Sequence, residues 1–320
     1  MRKRRILLSR PMPPATIAAA DALFEIEVRP STQPMTRAEL RSGLAVFDGM
    51  MVTLGDVVTA DLLQDFGRPR CKILANFGVG FNHIDTEACR AHGVTVSNTP
   101  GAVTDATADV AMTLILMACR RAGEAERLVR AGRWSGWHPT QMLGMHVTGR
   151  RLGILGMGRI GQAIARRGHF GFGMDVGYVA RSQKDLAFPA TRHDSLGDLA
   201  AWADILVVAV PASPETHHMV DASVLEAMPS HAVLINIARG DIVEEAALIA
   251  ALDQGQIAAA GLDVYEFEPK VPQGLLKHEN AVLLPHLGTA CLDVRESMGA
   301  MAVENLRAFF AGEPVPNRVN

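Results

Sequence analysis

The chain has 320 residues, of which 48% are hydrophobic and 20% charged, with a formal net charge of −3. That length can bury a large core and suits about two domains. The balanced charge gives no reason to expect nucleic acid or an anionic membrane surface as a partner, and no apolar run approaches the ~20 residues of a membrane span.

The N-terminus, MRKRRILLSRPMPP, opens like the basic end of an export signal, but its apolar core is only Ile6-Leu7-Leu8. An export signal needs roughly 7–15 such residues, so the stretch reads as a basic lead-in to a first strand. Strand-like runs follow at 5–9 (RILLS), 24–28 (FEIEV), 44–48 (LAVFD), 72–77 (KILANF) and 94–98 (VTVSN). Between them, TADLLQDFG and IDTEACRAHG have helical spacing and end at Gly67 and Gly93, as helix C-termini often do. One long helical pattern occupies 103–132, long enough to cross between domains or into a neighbouring subunit. A second series of strand-like runs lies at 151–156, 174–179, 204–210, 232–237, 258–264 and 281–285. The last stretch, ESMGAMAVENLRAFFAGEPVPN, is an amphipathic helix that breaks at Gly312 and Pro314 and could return to the first series. Runs that are apolar on both faces and separated by helices predict parallel sheets covered on both sides. The expected fold class is therefore α/β, with two doubly wound units. Cys71, Cys89, Cys119 and Cys291 have no C-x-x-C spacing and sit in apolar or helical patterns. That suits reduced thiols in the cytoplasm rather than disulfides or zinc, and no metal site is expected.

The segment GILGMGRIGQAIARRG places Gly156, Gly158 and Gly161 in G-x-G-x-x-G spacing after an apolar strand and at the start of an Ala-rich helix. In that context the glycines allow a tight turn, close approach of backbone to a pyrophosphate, and close helix–strand packing. The helix N-terminus then offers free N–H groups to the phosphates, so a dinucleotide site is expected. The carboxylate that would bind the ribose 2′-hydroxyl of NAD belongs at the end of the next strand. Asp175 stands at its start instead, and its end carries Val179, Ala180, Arg181 and Ser182. A guanidinium without a competing carboxylate favours NADP, with NAD as the second possibility. A second glycine pair, Gly78 and Gly80 around Val79, could free amides for a small anion; the pattern alone favours an ordinary turn.

Three further residues lie where strands end: Arg239 in INIARGD, Glu268 in GLDVYEFEP and His286 in LLPHLGTAC. Singly they read as a capping arginine, a solvated carboxylate and a packed histidine. Together they fall at the carboxyl ends of strands in a dinucleotide-binding sheet, where ligands bind in this architecture.

At this point the sequence resembles the D-isomer-specific 2-hydroxyacid dehydrogenases, in particular the glyoxylate/hydroxypyruvate reductase branch. The motifs GVGFNHID, TADVAMTLIL, GMGRIGQAIARR, INIARGDIVEE, AAAGLDVYEFEP and LPHLGT follow in family order along essentially the whole chain. The resemblance implies NAD(P)-dependent reduction of a small 2-oxoacid of the glyoxylate or hydroxypyruvate type, with Arg239, Glu268 and His286 as catalytic residues. His286 would donate the proton, Glu268 would favour the charged imidazole, and Arg239 with the Val79–Gly80 amides would bind the carboxylate. It implies cofactor contacts at Arg159, Ile160, Arg181, Pro211, Thr216, Ile237, Asp263 and Gly288 besides the glycine loop. It also implies a Rossmann-type cofactor domain, 100–287, inserted into a flavodoxin-like substrate domain, 1–99 plus 288–320. A homodimer is expected, held by the long helix and the loop after it. RWSGWHPTQMLG resembles that branch's W-x-x-W-x-P, in which Trp137 would close the neighbouring subunit's pocket; packing at the dimer arm is the other reading. Cys291 departs from the Ser or Thr common near that position.

Neighbouring readings separate on single residues. Formate dehydrogenases pair the histidine with glutamine, against Glu268. Many phosphoglycerate dehydrogenases add a regulatory domain for which 320 residues leave little room. Nicotinamide-sensing corepressors share the fold and can share the triad, but the absence of long polar tails disfavours them.

Overall fold

The computed structural model describes residues 3–64 and 66–320; Met1 and Arg2 of the basic lead-in and Asp65 of the TADLLQDFG pattern lie outside the described residues. By their internal contacts the residues form two compact units, one of residues up to Val103 with Ala290–Asn320, the other Thr104–Thr289.

The first unit is built on a five-stranded sheet of β1 (Arg5–Leu8), β2 (Glu25–Val28), β3 (Gly49–Val52), β4 (Ile73–Asn76) and β5 (Thr95–Ser97). Their order is β2-β1-β3-β4-β5 and every pairing is parallel. β3 and β4 are buried along their whole length, as parallel strands covered on both faces must be. Leu7, Leu40, Leu44, Met50 and Leu74 fill one face; Ile6, Leu8, Met51, Ile73 and Leu306 fill the other. Leu306 belongs to the C-terminal helix Leu292–Ala311, which does return to this unit and ends at left-handed Gly312. Helix and Pro14–Leu23 helix approach so closely that a Cβ on Gly299 would lie 1.8 Å from Thr16 Oγ1.

One expected strand is absent. LAVFD ends the helix Arg37–Val46 and its C-cap, and the strand is the next stretch, GMMV. Thr36 and Glu39 form a reciprocal capping box, so the helix starts firmly and carries Leu40, Gly43 and Leu44 inward on one face. The apolar run at 44–48 is thus one turn of a helix followed by the approach to β3.

The second unit carries β6 (Arg151–Leu155), β7 (Asp175–Val179), β8 (Thr191–Arg192), β9 (Ile205–Val208), β10 (Val233–Asn236), β11 (Ala259–Leu262) and β12 (Ala281–Leu283). Their order is β12-β11-β10-β9-β6-β7-β8, again all parallel. β8 was not expected from sequence; it is two exposed polar residues, with no periodicity to betray it. The order reverses at β6, where β9 lies on one side and β7 on the other, and this switch point is where such sheets bind ligands. Two apolar layers, one around Leu114, Ile154 and Ile235 and one around Leu206, Leu234 and Leu248, cover the two faces.

The single helix expected over 103–132 is two. Thr104–Cys119 packs on the Arg159–Phe172 helix and on β10–β12. Arg121 then takes a left-handed conformation (φ 51°) and Ala122–Arg130 runs on as a separate helix with no buried residue. Arg121 is held there by a fork-like pair of hydrogen bonds to Glu124.

Candidate active site

Because the second sheet is all parallel, the loops leaving β6, β7, β9, β10, β11 and β12 share its carboxyl edge. The glycine loop follows β6. Gly156 is left-handed (φ 101°), and a Cβ there would sit 2.7 Å from Val210 Cγ1. A Cβ on Gly161 would lie 2.1 Å from the Gly156 carbonyl oxygen, so close strand–helix packing requires that glycine. A Cβ on Gly158, the N-cap of the Arg159–Phe172 helix, would meet no protein atom within 4 Å. The chain itself therefore does not need glycine at 158, whereas a phosphate lying against the backbone does. This edge fits a dinucleotide. Arg159 is exposed and Ile160 half-buried at the start of the helix.

β7 ends at Val179, and Asp175 stands at its far end. Arg181 and Ser182 beyond it are exposed, and the Ser182 hydroxyl accepts a hydrogen bond from Lys184 Nζ at 3.0 Å. After β9, Thr216 Oγ1 donates to the Pro211 carbonyl at 2.9 Å and accepts from Ser213 N–H at 2.8 Å, which closes the loop on itself.

After β10 the chain buries Ile237 and turns at Arg239. Asn236 shapes that turn from both sides: its side-chain amide donates to the Arg239 carbonyl at 2.8 Å and its oxygen accepts from Ala238 N–H at 3.0 Å. Gly240 permits the next step, since a Cβ there would lie 1.8 Å from the Tyr265 carbonyl carbon. That contact brings the Arg239 turn against the loop that carries Glu268. The Arg239 guanidinium donates from Nη1 to the Ala238 carbonyl, while its buried Nε has no acceptor. Burial holds the guanidinium below its usual range, opposed by the charges of Glu268 and Asp241.

Glu268 and His286 meet directly, with Glu268 Oε2 2.9 Å from His286 Nδ1. The other oxygen, Oε1, accepts from Tyr265 N–H at 3.1 Å. Burial alone would push the Glu268 carboxyl up. The hydrogen bond and charge of His286, then the Tyr265 amide and the Arg239 charge, outweigh it and leave the group below its usual range. His286 is left-handed (φ 54°), an uncommon conformation for a residue with a side chain. Asp263 imposes it: its carbonyl accepts from His286 N–H, and its carboxylate accepts from Leu287 N–H at 2.6 Å and Gly288 N–H at 2.8 Å. Thr107 Oγ1 donates to the Gly288 carbonyl. Burial raises the Asp263 carboxyl, with the two amides and His286 pulling it back.

In the first unit, the loop after β4 has its carbonyls tied inward. Asn76 Nδ2 donates to the Gly78 and Gly80 carbonyls, both at 3.0 Å, and Asn98 Nδ2 donates to that of Val79 at 2.9 Å. Among the described residues neither the Val79 nor the Gly80 N–H has an acceptor. Such a pair of free amides is a ready anion contact.

The profile of the family described as D-isomer specific 2-hydroxyacid dehydrogenase, NAD binding domain, matches residues 112–288. The chain belongs to this family. It is 40% identical to a glyoxylate reductase of Thermococcus kodakarensis, over 99% of this chain and 96% of that one. It is 35% identical to a glycerate dehydrogenase of Hyphomicrobium methylovorum, over 98% of each. Among solved structures it resembles the NADPH-dependent glyoxylate/hydroxypyruvate reductase of Sinorhizobium meliloti in complex with NADP and malonate. That likeness has a TM-score of 0.88 and 36% identity, over 99% of this chain and 97% of the other. The protein is accordingly an NAD(P)-dependent 2-hydroxyacid dehydrogenase with an NAD-binding domain of the family type. No described helix is long and apolar enough to cross a membrane.

Several residues that shape this dehydrogenase's site went unnoticed in the sequence. Asn76 and Asn236 each end a buried strand, and an asparagine closing an otherwise apolar run is a visible signal for a side chain that organises the loop beyond. The glycine directly after Arg239 is plain in INIARGD, but the contact with Tyr265 that requires it is not. Tyr265, whose N–H donates to Glu268 and whose hydroxyl donates to the Leu284 carbonyl, and Thr107 leave no such mark. Trp137 is 80% exposed and Trp134 54% exposed in the segment after the Ala122–Arg130 helix.

Proposed function

We propose that the enzyme reduces glyoxylate and hydroxypyruvate to the corresponding 2-hydroxyacids, with NADPH preferred over NADH. The observation that carries the reading is the pairing of His286 with Glu268 beside an arginine whose buried Nε lacks an acceptor. A bound nicotinamide cofactor supplies the hydride for the carbonyl carbon. His286, engaged through Nδ1 by the Glu268 carboxylate, has Nε2 left to protonate the carbonyl oxygen as it becomes an alkoxide. Arg239 binds the substrate carboxylate by a charge-assisted hydrogen bond, and the Val79 and Gly80 amides are assigned to the same anion. Arg159, Ile160, Pro211, Thr216, Ile237, Asp263 and Gly288 join the glycine loop as cofactor contacts, and Arg181 with Ser182 takes the 2′-phosphate.

The functional domains are proposed as 1–99 with 288–320 for substrate and 100–287 for cofactor. A homodimer is proposed through the segment after the Ala122–Arg130 helix, where exposed Trp134, Trp137 and Leu143 favour a covered surface; Trp137 is assigned to the partner's pocket. A cytoplasmic setting fits Cys71, Cys89 and Cys119, free thiols that burial pushes up to about 12. The Thermococcus, Hyphomicrobium and Sinorhizobium relatives support the substrate class, since glycerate is the reduced form of hydroxypyruvate.

A panel of 2-oxoacids, run with NADPH and with NADH on purified protein, tests the reading. The expected result is highest kcat/KM for glyoxylate or hydroxypyruvate with NADPH. Turnover confined to larger 2-oxoacids refutes the substrate assignment, and cofactor binding without turnover of any 2-oxoacid favours the corepressor-like reading.

A further inference from the structure

Behind the catalytic loops lies a cluster that the reaction does not use. His217 and His218 follow the short helical turn Pro214–Thr216, and their rings stack with centroids 3.9 Å apart and 28° between planes. Glu266 reaches them from the loop after β11, with Oε1 3.1 Å from His218 Nε2. One ligand atom from each of the three residues lies within 4.8 Å of the others.

Successive side chains in extended chain point to opposite sides. Here both imidazoles face one side because His218 is left-handed (φ 50°), an uncommon conformation for a residue with a β-carbon. The His218 N–H donates to the Asp241 carbonyl at 2.8 Å, which fixes that turn against the Arg239 loop. The hydrogen bond to Glu266 accounts for the His218 ring. It leaves the exposed His217 ring with no hydrogen-bond partner among the described residues. The Glu266 N–H donates to Glu245 at 2.9 Å, which ties the loop that carries Glu266 to the helix Glu245–Asp253.

We propose that His217, His218 and Glu266 bind one divalent transition-metal ion of the zinc class. Zinc takes imidazole nitrogen and carboxylate oxygen at about 2.0–2.2 Å, which sets neighbouring ligand atoms roughly 3.3 Å apart in a tetrahedron. Binding requires the two stacked imidazoles to turn out of their stack until their in-plane nitrogen lone pairs converge on the ion. Two imidazoles with one carboxylate suit zinc, nickel or copper, not magnesium or calcium. Exposed His217 gives the ion an entry path, and water completes its coordination. The bound ion joins the loop after β9 to the loop after β11, two residues before Glu268. The spacing of the cysteines pointed away from any metal, and an adjacent histidine pair with a glutamate 48 residues on has no sequence signature.

The test is calorimetric titration of the EDTA-treated, dialysed enzyme with ZnCl2, with MgCl2 as a parallel titrant. One zinc ion per chain is expected, with no saturable magnesium binding. His217→Ala, which removes an exposed ring, should weaken zinc binding about tenfold or more. His286→Ala should bind zinc like the parent, which separates this site from the His286–Glu268 pair. Circular dichroism verifies that each variant is folded. Zinc should also raise the parent's Tm and leave that of His217→Ala unmoved. Absence of saturable zinc binding by the parent, or equal affinity in His217→Ala, overturns the proposal.

Discussion

Glu268 and His286, 18 residues apart in sequence, meet through a 2.9 Å contact that engages the imidazole at Nδ1. The carboxyl is held below its usual range, so it remains ionised as pH falls toward the acid side of neutral. A fixed carboxylate on Nδ1 orients Nε2 outward. His286→Ala should therefore lower kcat by about 10²–10⁴-fold while the Kd for cofactor, read by fluorescence titration, stays nearly unchanged. Glu268→Gln keeps the shape and removes the charge. Its kcat should fall by about tenfold or more while cofactor Kd holds, and parent-like turnover would show that the carboxylate does not act on the histidine.

Arg239 is placed by contacts on both sides of it, Asn236 before and Gly240 after. Arg239→Lys keeps the charge but loses Nε and the planar fork. KM for glyoxylate should rise and kcat should fall together, as expected when an interaction orients as well as binds. Gly240→Ala should produce the same kinetic change with a lower Tm, because its Cβ would have to displace the Tyr265 backbone. Parent-like KM in Arg239→Lys would place the carboxylate elsewhere.

The strand-by-strand reading succeeded where burial on both faces leaves continuous apolar runs, as in β9 and β10. It failed at 44–48, where four apolar or small residues looked like a strand and the deciding signal was eight residues upstream in the Thr36–Glu39 capping box. It also missed the break at Arg121, because the helical periodicity continues across a single left-handed residue. The dinucleotide loop was legible because contacts demand glycine at 156 and 161, a bound phosphate favours it at 158, and the spacing of the three is fixed. That Arg239, Glu268 and His286 would share an edge followed from strands running in parallel. Their orientation was not legible: it depends on the bond from Gly288 N–H to Asp263, 25 residues away, and on local turns set by Asn236 and Tyr265 that have no periodicity.

A different carboxylate supports the opposite edge of the second sheet. Asp204, buried before β9, accepts from Arg151 N–H at 3.0 Å, from Arg151 Nη2 at 2.9 Å and from His231 Nε2 at 2.8 Å. Burial alone would raise its carboxyl; the bonds from Arg151 and His231 prevail and hold it far below the usual carboxylate range. A depressed folded-state pKa contributes stability that is fully present above the unfolded value of about 3.9. That contribution is lost as pH falls from there through the folded value. Asp204→Asn should cost about 1–3 kcal/mol near neutral pH, seen as a lower urea midpoint. The gap between variant and parent should narrow as pH drops below about 4; a gap independent of pH would mean the loss is packing alone.

Cofactor choice turns on the end of β7. A 2′-phosphate carries nearly two negative charges at neutral pH and must sit close to that strand end. Val179 and Ala180 offer it no repelling carboxylate, and Asp175 lies at the other end of the strand. Arg181 is exposed there, and Lys184 stands behind the Ser182 hydroxyl at 3.0 Å, so two cations and a hydroxyl are within one short loop. Charge-assisted hydrogen bonds contribute about 1.5–3 kcal/mol each, or roughly 10–150-fold in affinity. NADPH should therefore exceed NADH by at least about tenfold in kcat/KM. Arg181→Ala should shrink that ratio by raising KM for NADPH while leaving NADH nearly untouched. Equal loss with both cofactors would assign Arg181 to stacking on the adenine, and a parent enzyme that prefers NADH would refute the phosphate site altogether.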